Sequence, residues 1–297
     1  MIDIRYHVYS LAAVFFALAI GIVLGTTFAR SSPSTESERR TIQRYENSMR
    51  VLKREIEKAS EGAAKLEATA RSCEEFCRAA LPTIVKNRLQ WRNVAIIQTG
   101  DYDDVTGSVK RVLELAGAHV TSVTSISRAF PFDDEAKIAA VLQTCGAPVN
   151  GQNETAKEKL FRIIADTVRA GTHTHLLPKL EAAGVAKFAG TYDRYMRLRM
   201  IVLVGGSASE ALNTADSVDA ALLANLDRPD VTLAACESTD AVSSYVPVWH
   251  KFGIATVDNA DSAIGQVALI CALNGEKAKF GVKDTADRMV PLTLEAR

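Results

Sequence analysis

The chain has 297 residues, 35 lysines plus arginines against 35 aspartates plus glutamates, and 47% apolar side chains. That length accommodates one sizeable α/β domain together with an extended segment. A balanced charge, with no basic run interleaved with aromatics, excludes an electrostatically driven nucleic-acid binder. The five scattered cysteines, at 73, 77, 145, 236 and 271, exclude a disulfide framework.

From Val8 to Ala29 the sequence carries no charge, and roughly 20 such residues suffice for a helix to cross a hydrocarbon core. The stretch has no polar face, so a membrane anchor over residues 1–30 is expected. Small residues around Thr26 to Ser32 leave cleavage as an alternative. Charged residues flank both ends, Arg5 before and Arg30, Arg39 and Arg40 after. An apolar N-terminal helix that stays attached after export would put the N-terminus in the cytoplasm and the bulk of the chain outside. Ala13, Ala17, Gly21 and Gly25 recur every four residues, a small-xxx-small ladder that lets two helix backbones approach in lipid.

A polar break from Arg30 to Thr35, with Pro33 inside it, opens a linker and stalk over 31–90. Residues 42 to 80 then hold a three-four spacing, with Ile42, Met49, Ile56, Ala63, Ala70 and Cys77 at a and Tyr45, Leu52, Ala59, Leu66, Cys73 and Ala80 at d. Charged residues fall elsewhere, which is the pattern of a coiled coil and predicts a rod of about 60 Å. With no second heptad segment to fold back on it, the seam predicts a parallel homodimer. Cys73 and Cys77 would each face their mate, putting four sulfurs in two adjacent layers. Three readings are open: a thiolate site for a soft ion such as Cu(I), an interchain disulfide, or two small apolar residues continuing an alanine-rich seam.

From Trp91 to the end the pattern is short apolar runs separated by helical stretches. Strands are expected at Asn93 to Gln98, His119 to Val123, Met200 to Val204, Val231 to Cys236 and Ile254 to Val257. Helices are expected near 105–116, 134–144, 154–170, 176–184, 216–224, 240–250 and 262–273. The alternation predicts an extracytoplasmic α/β domain over 91–297 with a mostly parallel sheet of Rossmann-like or flavodoxin-like type. Chemistry should then sit beyond the carboxyl ends of the strands.

Two loops at that edge stand out. Asp101, Asp103 and Asp104 after the first strand suit turn formation and helix capping, with divalent-cation binding as the alternative. The Gly205-Gly206-Ser207-Ala208-Ser209 loop offers backbone amides to an anion, but it lacks the spacing and lysine of a nucleotide site. No GxSxG elbow and no convincing cysteine–histidine pair is present. His173 and His175 form an HxH in a loop, a spacing that needs further ligands to hold a metal. His119 and His250 read as ordinary ends of a strand and a helix. No catalytic residue is expected, and the domain reads as a docking module.

The opening IRYHVYSLAAVFFALAIGIVLGTT, the coiled coil after it, Trp91-Arg92-Asn93-Val94, Lys279-Phe280-Gly281-Val282-Lys283 and Met289-Val290-Pro291 together resemble the MctB family, usually labelled copper transporter. The resemblance covers essentially the whole chain. It implies a part in copper homeostasis, described in actinobacteria as that of an outer-membrane copper channel. Corynebacterial relatives called SteB imply instead control of septal peptidoglycan hydrolysis and cell separation with a SteA-like membrane partner. One span per chain gives a dimer no obvious lumen, and the alternating strands of an outer-membrane barrel are not the pattern seen here.

Overall fold

The computed structural model describes residues 4–30, 34–149, 154–195 and 198–295. The chain divides into two compact units, Met1–Ala70 and Arg71–Arg297. In the first, α1 (Ile4–Arg30) is one uninterrupted helix. Its stretch Tyr6–Phe28 is 23 residues long, apolar enough to cross a membrane, and exposed throughout. Helix α2 (Ser34–Val85) runs for 52 residues. Residues 31–33, where the linker centred on Pro33 is expected, lie outside the described residues. Ser34 and Thr35, expected in that break, are already helical; a proline followed by Ser, Thr and Glu is a helix-start composition. The heptad positions Ile42, Tyr45, Met49, Leu52, Ile56 and Leu66 are 53 to 73% exposed.

The second unit is a seven-stranded sheet of order β3-β2-β1-β4-β5-β6-β7. Its strands are β1 (Asn93–Gln98), β2 (His119–Ile126), β3 (Ala186–Gly190), β4 (Met200–Val204), β5 (Thr232–Cys236), β6 (Ala255–Val257) and β7 (Lys279–Phe280). All neighbours pair in parallel except β2 and β3. The central strands are apolar on both faces, as burial between two helical layers requires. Alternate residues point to opposite layers. Ala95 and Ile97 of β1, with Ile201 and Leu203 of β4, face α4 (Glu135–Cys145), α5 (Ala156–Ala170), α6 (Leu177–Ala182), α7 (Ala220–Leu226) and α8 (Val246–His250). Val94 and Ile96, with Val202 and Val204, face α3 (Asp103–Leu115) and α9 (Ala263–Leu273). Leu81 and Val85 from the last turns of α2 join that second core with Leu89.

The five expected strands are all present, so the α/β, mostly parallel class stands. Two strands escaped the pattern. β3 reads Ala-Lys-Phe-Ala-Gly and is exposed at most positions because it is a sheet edge, and β7 has only two residues. The helix expected over 240–250 shortens to α8, because Ser243 leaves to pair its backbone with Ser207. Helix α5 starts in a capping box, the Thr155 hydroxyl accepting from the Glu158 amide and the Glu158 carboxylate from the Thr155 amide.

Candidate functional site

In the strand order, the chain leaves β1 in one direction to β2 and returns across it to β4, so the topological switch point lies between β1 and β4. Ligands of open α/β sheets bind in the crevice there. In this protein the crevice is closed by backbone. The Thr99 amide donates to the Val204 carbonyl at 2.8 Å and the Asp101 amide to the Gly206 carbonyl at 3.1 Å. Gly100 packs directly on the backbone of Gly205 and Gly206, leaving no room for a Cβ. A Cβ on Gly205 would stand 2.5 Å from Cζ2 of Trp249 and 2.7 Å from Cδ2 of Tyr245.

The amide cradle expected in the Gly205–Ser209 loop exists, and the protein fills it with its own carboxylate. Asp101 Oδ2 accepts from the Ala208 amide at 2.9 Å and from the Ser207 hydroxyl at 3.0 Å. Oδ1 pairs with the Arg128 guanidinium. Burial by itself would push the Asp101 carboxyl up, but the Ala208 amide, Arg128 and Ser207 together hold it below the ordinary carboxylate value. Asp101 is therefore a loop tie. Asp103 and Asp104 lie in the first turn of α3, while the cap position is Tyr102 and makes no side-chain cap bond. The two carboxylates favour the positive end of the helix dipole rather than closing it as caps.

Polar residues that sequence patterning passed over follow the other strands. Glu237, fully buried after β5, accepts from the Ser244 hydroxyl at 2.6 Å, the Tyr245 amide at 2.8 Å and the Lys283 ammonium at 2.7 Å. Asp258, buried after β6, accepts from the amides of Val282 and Lys283. Gly281 (φ 151°) packs on the Asp258 carboxylate where a side chain would not fit. The Lys279–Lys283 signature is thus a strap held by two buried acids. Asp219 is also fully buried, with Oδ2 accepting from Trp249 Nε1 at 2.6 Å. Its Oδ1 has no hydrogen bond among the described residues. Burial pushes the Asp219 carboxyl up to about 7 against the pull of Trp249. The signal for Gln98, Glu237 and Asp258 was present in the sequence, since each is the polar residue that ends or directly follows an apolar strand. Asp219 had none.

Beside the closed crevice, a cleft of about 650 Å³ opens at the carboxyl ends of β1 and β2, lined in part by Gln98, Ser125, Ser127 and Arg128. Gln98 forms its floor. Its Nε2 donates to Asp103 and its Oε1 accepts from the Ser125 hydroxyl at 3.2 Å.

None of the five cysteines lines this edge as a free nucleophile. All are unpaired in the single chain, with Cys145, Cys236 and Cys271 buried, Cys77 half-buried and Cys73 exposed. Burial pushes the Cys145 and Cys236 thiols up, away from reactivity. His173 and His175 sit with ring centroids 6.5 Å apart. Among the described residues no group of three or more histidine, cysteine or acidic side chains is gathered to hold a metal ion. His250 Nε2 meets the Thr256 hydroxyl at 3.1 Å, as befits an ordinary helix end.

Comparison with known proteins places this architecture. The Copper transporter MctB proteins of Mycobacterium tuberculosis (strain ATCC 25618 / H37Rv) and Mycobacterium bovis are each 28% identical to it over 301 residues, covering 92% of both chains. That of Mycobacterium leprae is 27% identical over 157 residues, which is 52% of this chain and 47% of the relative. A family model described as "Copper transport outer membrane protein, MctB" matches residues 1–291. With nearly its whole length matched, the chain belongs to the MctB family, which supports a membrane-associated role connected with copper.

Proposed function

We propose that this protein is a membrane-anchored homodimer that handles copper through thiolates on its stalk, without catalysis. The carrying observation is the set of large heptad side chains on α2, Ile42, Tyr45, Met49, Leu52, Ile56 and Leu66, each of which stays more than half exposed in the single chain. Burying one such side chain stabilises by about 1.5–3 kcal/mol, so an exposed row at a and d calls for a second copy. Ala17, Gly21 and Gly25 on α1 would bring the anchors together on the same axis; among the described residues, nothing beyond the helix's own neighbouring backbone stands within 4 Å of where a Cβ on either glycine would sit. In a parallel dimer, Cys73 and Cys77 would supply four sulfurs, a donor set that selects Cu(I). The N-terminus would lie in the cytoplasm and the α/β domain outside. The one span among the described residues offers a dimer no pore, so copper would be held rather than conducted.

The test is an anaerobic Cu(I) titration of the reduced full-length protein in detergent, beside Cys73→Ser/Cys77→Ser. Tight binding that disappears in the double variant supports the reading, and equal binding by both proteins removes the stalk thiols from it. A second reading, an envelope scaffold recruiting a SteA-like membrane partner to control cell separation, is favoured by Phe76, which is 73% exposed and lies outside the a and d positions. Absence of copper binding by both proteins would favour it.

A further inference from the structure

The cleft at the carboxyl ends of β1 and β2 is unrelated to the stalk thiols and carries its own chemistry. Its volume of about 650 Å³ is in the range of small-molecule sites, and it adjoins the switch point where sheets of this kind take ligands. Three features make it more than a gap between loops. The floor is a carboxamide, Gln98, only 8% exposed and bonded at both ends, directly after the apolar core run Val94–Ile97 of β1. A polar floor fixed in this way is pre-organised for hydrogen bonding. Arg128 is held in place through Asp101, which is itself tied to the Ser207 hydroxyl and Ala208 amide; the guanidinium retains further N–H donors. Lys187 and Glu181 line the same cleft, both exposed, and their side chains make no hydrogen bond or ion pair among the described residues.

The lining therefore carries both signs: Arg128 and Lys187 against Asp103 and Glu181, over a floor of Gln98 and the Ser125 hydroxyl. A ligand of one sign would leave the opposite charges facing it unmatched, whereas a molecule with both a carboxylate and an ammonium meets both. We propose that this cleft binds a small zwitterion of the amino-acid type, a free amino acid or short peptide, with its carboxylate toward Arg128 and Lys187 and its ammonium toward Asp103 and Glu181. No bond is made or broken, and the site is one of recognition.

The experiment is isothermal titration of the full-length protein in detergent with the twenty amino acids and glycylglycine, beside glucose and inorganic phosphate. The expected result is saturable binding of at least one zwitterion at one site per chain. That binding should weaken roughly tenfold or more in Lys187→Ala and in Glu181→Ala, since each removes a charge-assisted contact. Neither side chain makes a hydrogen bond or ion pair among the described residues, and an alanine keeps the backbone pairing of each, so the variants should keep the domain intact, which unchanged thermal unfolding confirms. Binding of no zwitterion, binding only of glucose or phosphate, or zwitterion binding untouched by both substitutions would each overturn the proposal.

Discussion

The helical unit and the sheet unit treat apolar side chains in opposite ways. In the sheet domain Ile96, Ile97, Val202 and Leu203 are fully buried, and buried acids such as Glu237 and Asp258 are met by hydrogen-bond donors. In α1 and in α2 as far as Leu66 the large apolar residues, such as Phe16, Leu24, Ile42 and Leu66, are exposed. A domain that has already satisfied its hydrophobic residues needs no partner to fold. Helices that have not must take their burial from lipid or from another chain.

The sharpest way to break that contrast is at the seam. Leu52→Asp with Ile56→Asp should raise the dissociation constant of the proposed dimer by about a thousandfold or more, from about 4 kcal/mol of lost burial. Sedimentation of the detergent-solubilised protein reads this directly, and the sheet domain should unfold as before. A dimer that survives both substitutions would mean that the exposed row is covered by something else.

The next effect lies inside the sheet domain. Because Asp219 has its folded value raised from 3.8 to about 7 by burial, it costs nothing below pH ~4, where the carboxyl is protonated in both states. It becomes progressively destabilising as pH rises towards 7, and the full cost, on the order of a few kcal/mol, is present above 7. Asp219→Asn should therefore stabilise the domain at pH 8 and leave it nearly unchanged at pH 4. Denaturant unfolding followed by the emission of buried Trp249 measures both. Equal effects at the two pH values would show that Asp219 is not the titrating group.

A smaller effect, of about 1–3 kcal/mol, is expected for Gly205→Ala, whose added carbon meets Trp249 and Tyr245 at 2.5 and 2.7 Å. Thermal unfolding would show the loss, and an unaltered midpoint would mean that the loop can retreat from α8. The smallest change is a gain. Trp91 is 87% exposed with φ 64°, a left-handed conformation that costs roughly 1–2 kcal/mol for a side chain with a Cβ. Trp91→Gly should raise stability by up to about 1 kcal/mol, and a loss in the same unfolding experiment would reveal a contact that the exposed ring makes.

Much of this was legible in the residues. Strong periodicity survives translation into structure, so the apolar helix near Val8 to Ala29, the long helix that carries the heptad spacing and five of the strands could be read without coordinates. Edge strands could not. β3, with Lys187 and its small neighbours, has no pattern of its own and exists because β2 offers an unpaired edge. The candidate site was legible only in part. The loops around Asp101 and Gly205 were recognisable as strand-end features, but the sequence could not say that one loop's carboxylate fills the other's amide cradle, because residues 101 and 208 are far apart in the chain. The burial of Asp219 against Trp249 is of the same kind.

The sequence by itself determined the apolar N-terminal helix, the long helix after it, the α/β class and the family, since each is written in local spacing or in a continuous run of residues. Only the tertiary structure decided that the switch-point crevice is shut, that the Lys279–Lys283 signature is a strap on Glu237 and Asp258, and that Gln98, Arg128, Lys187 and Glu181 share one cleft. Those facts depend on which strands become neighbours, a choice made by burial of the whole sheet rather than by any one segment.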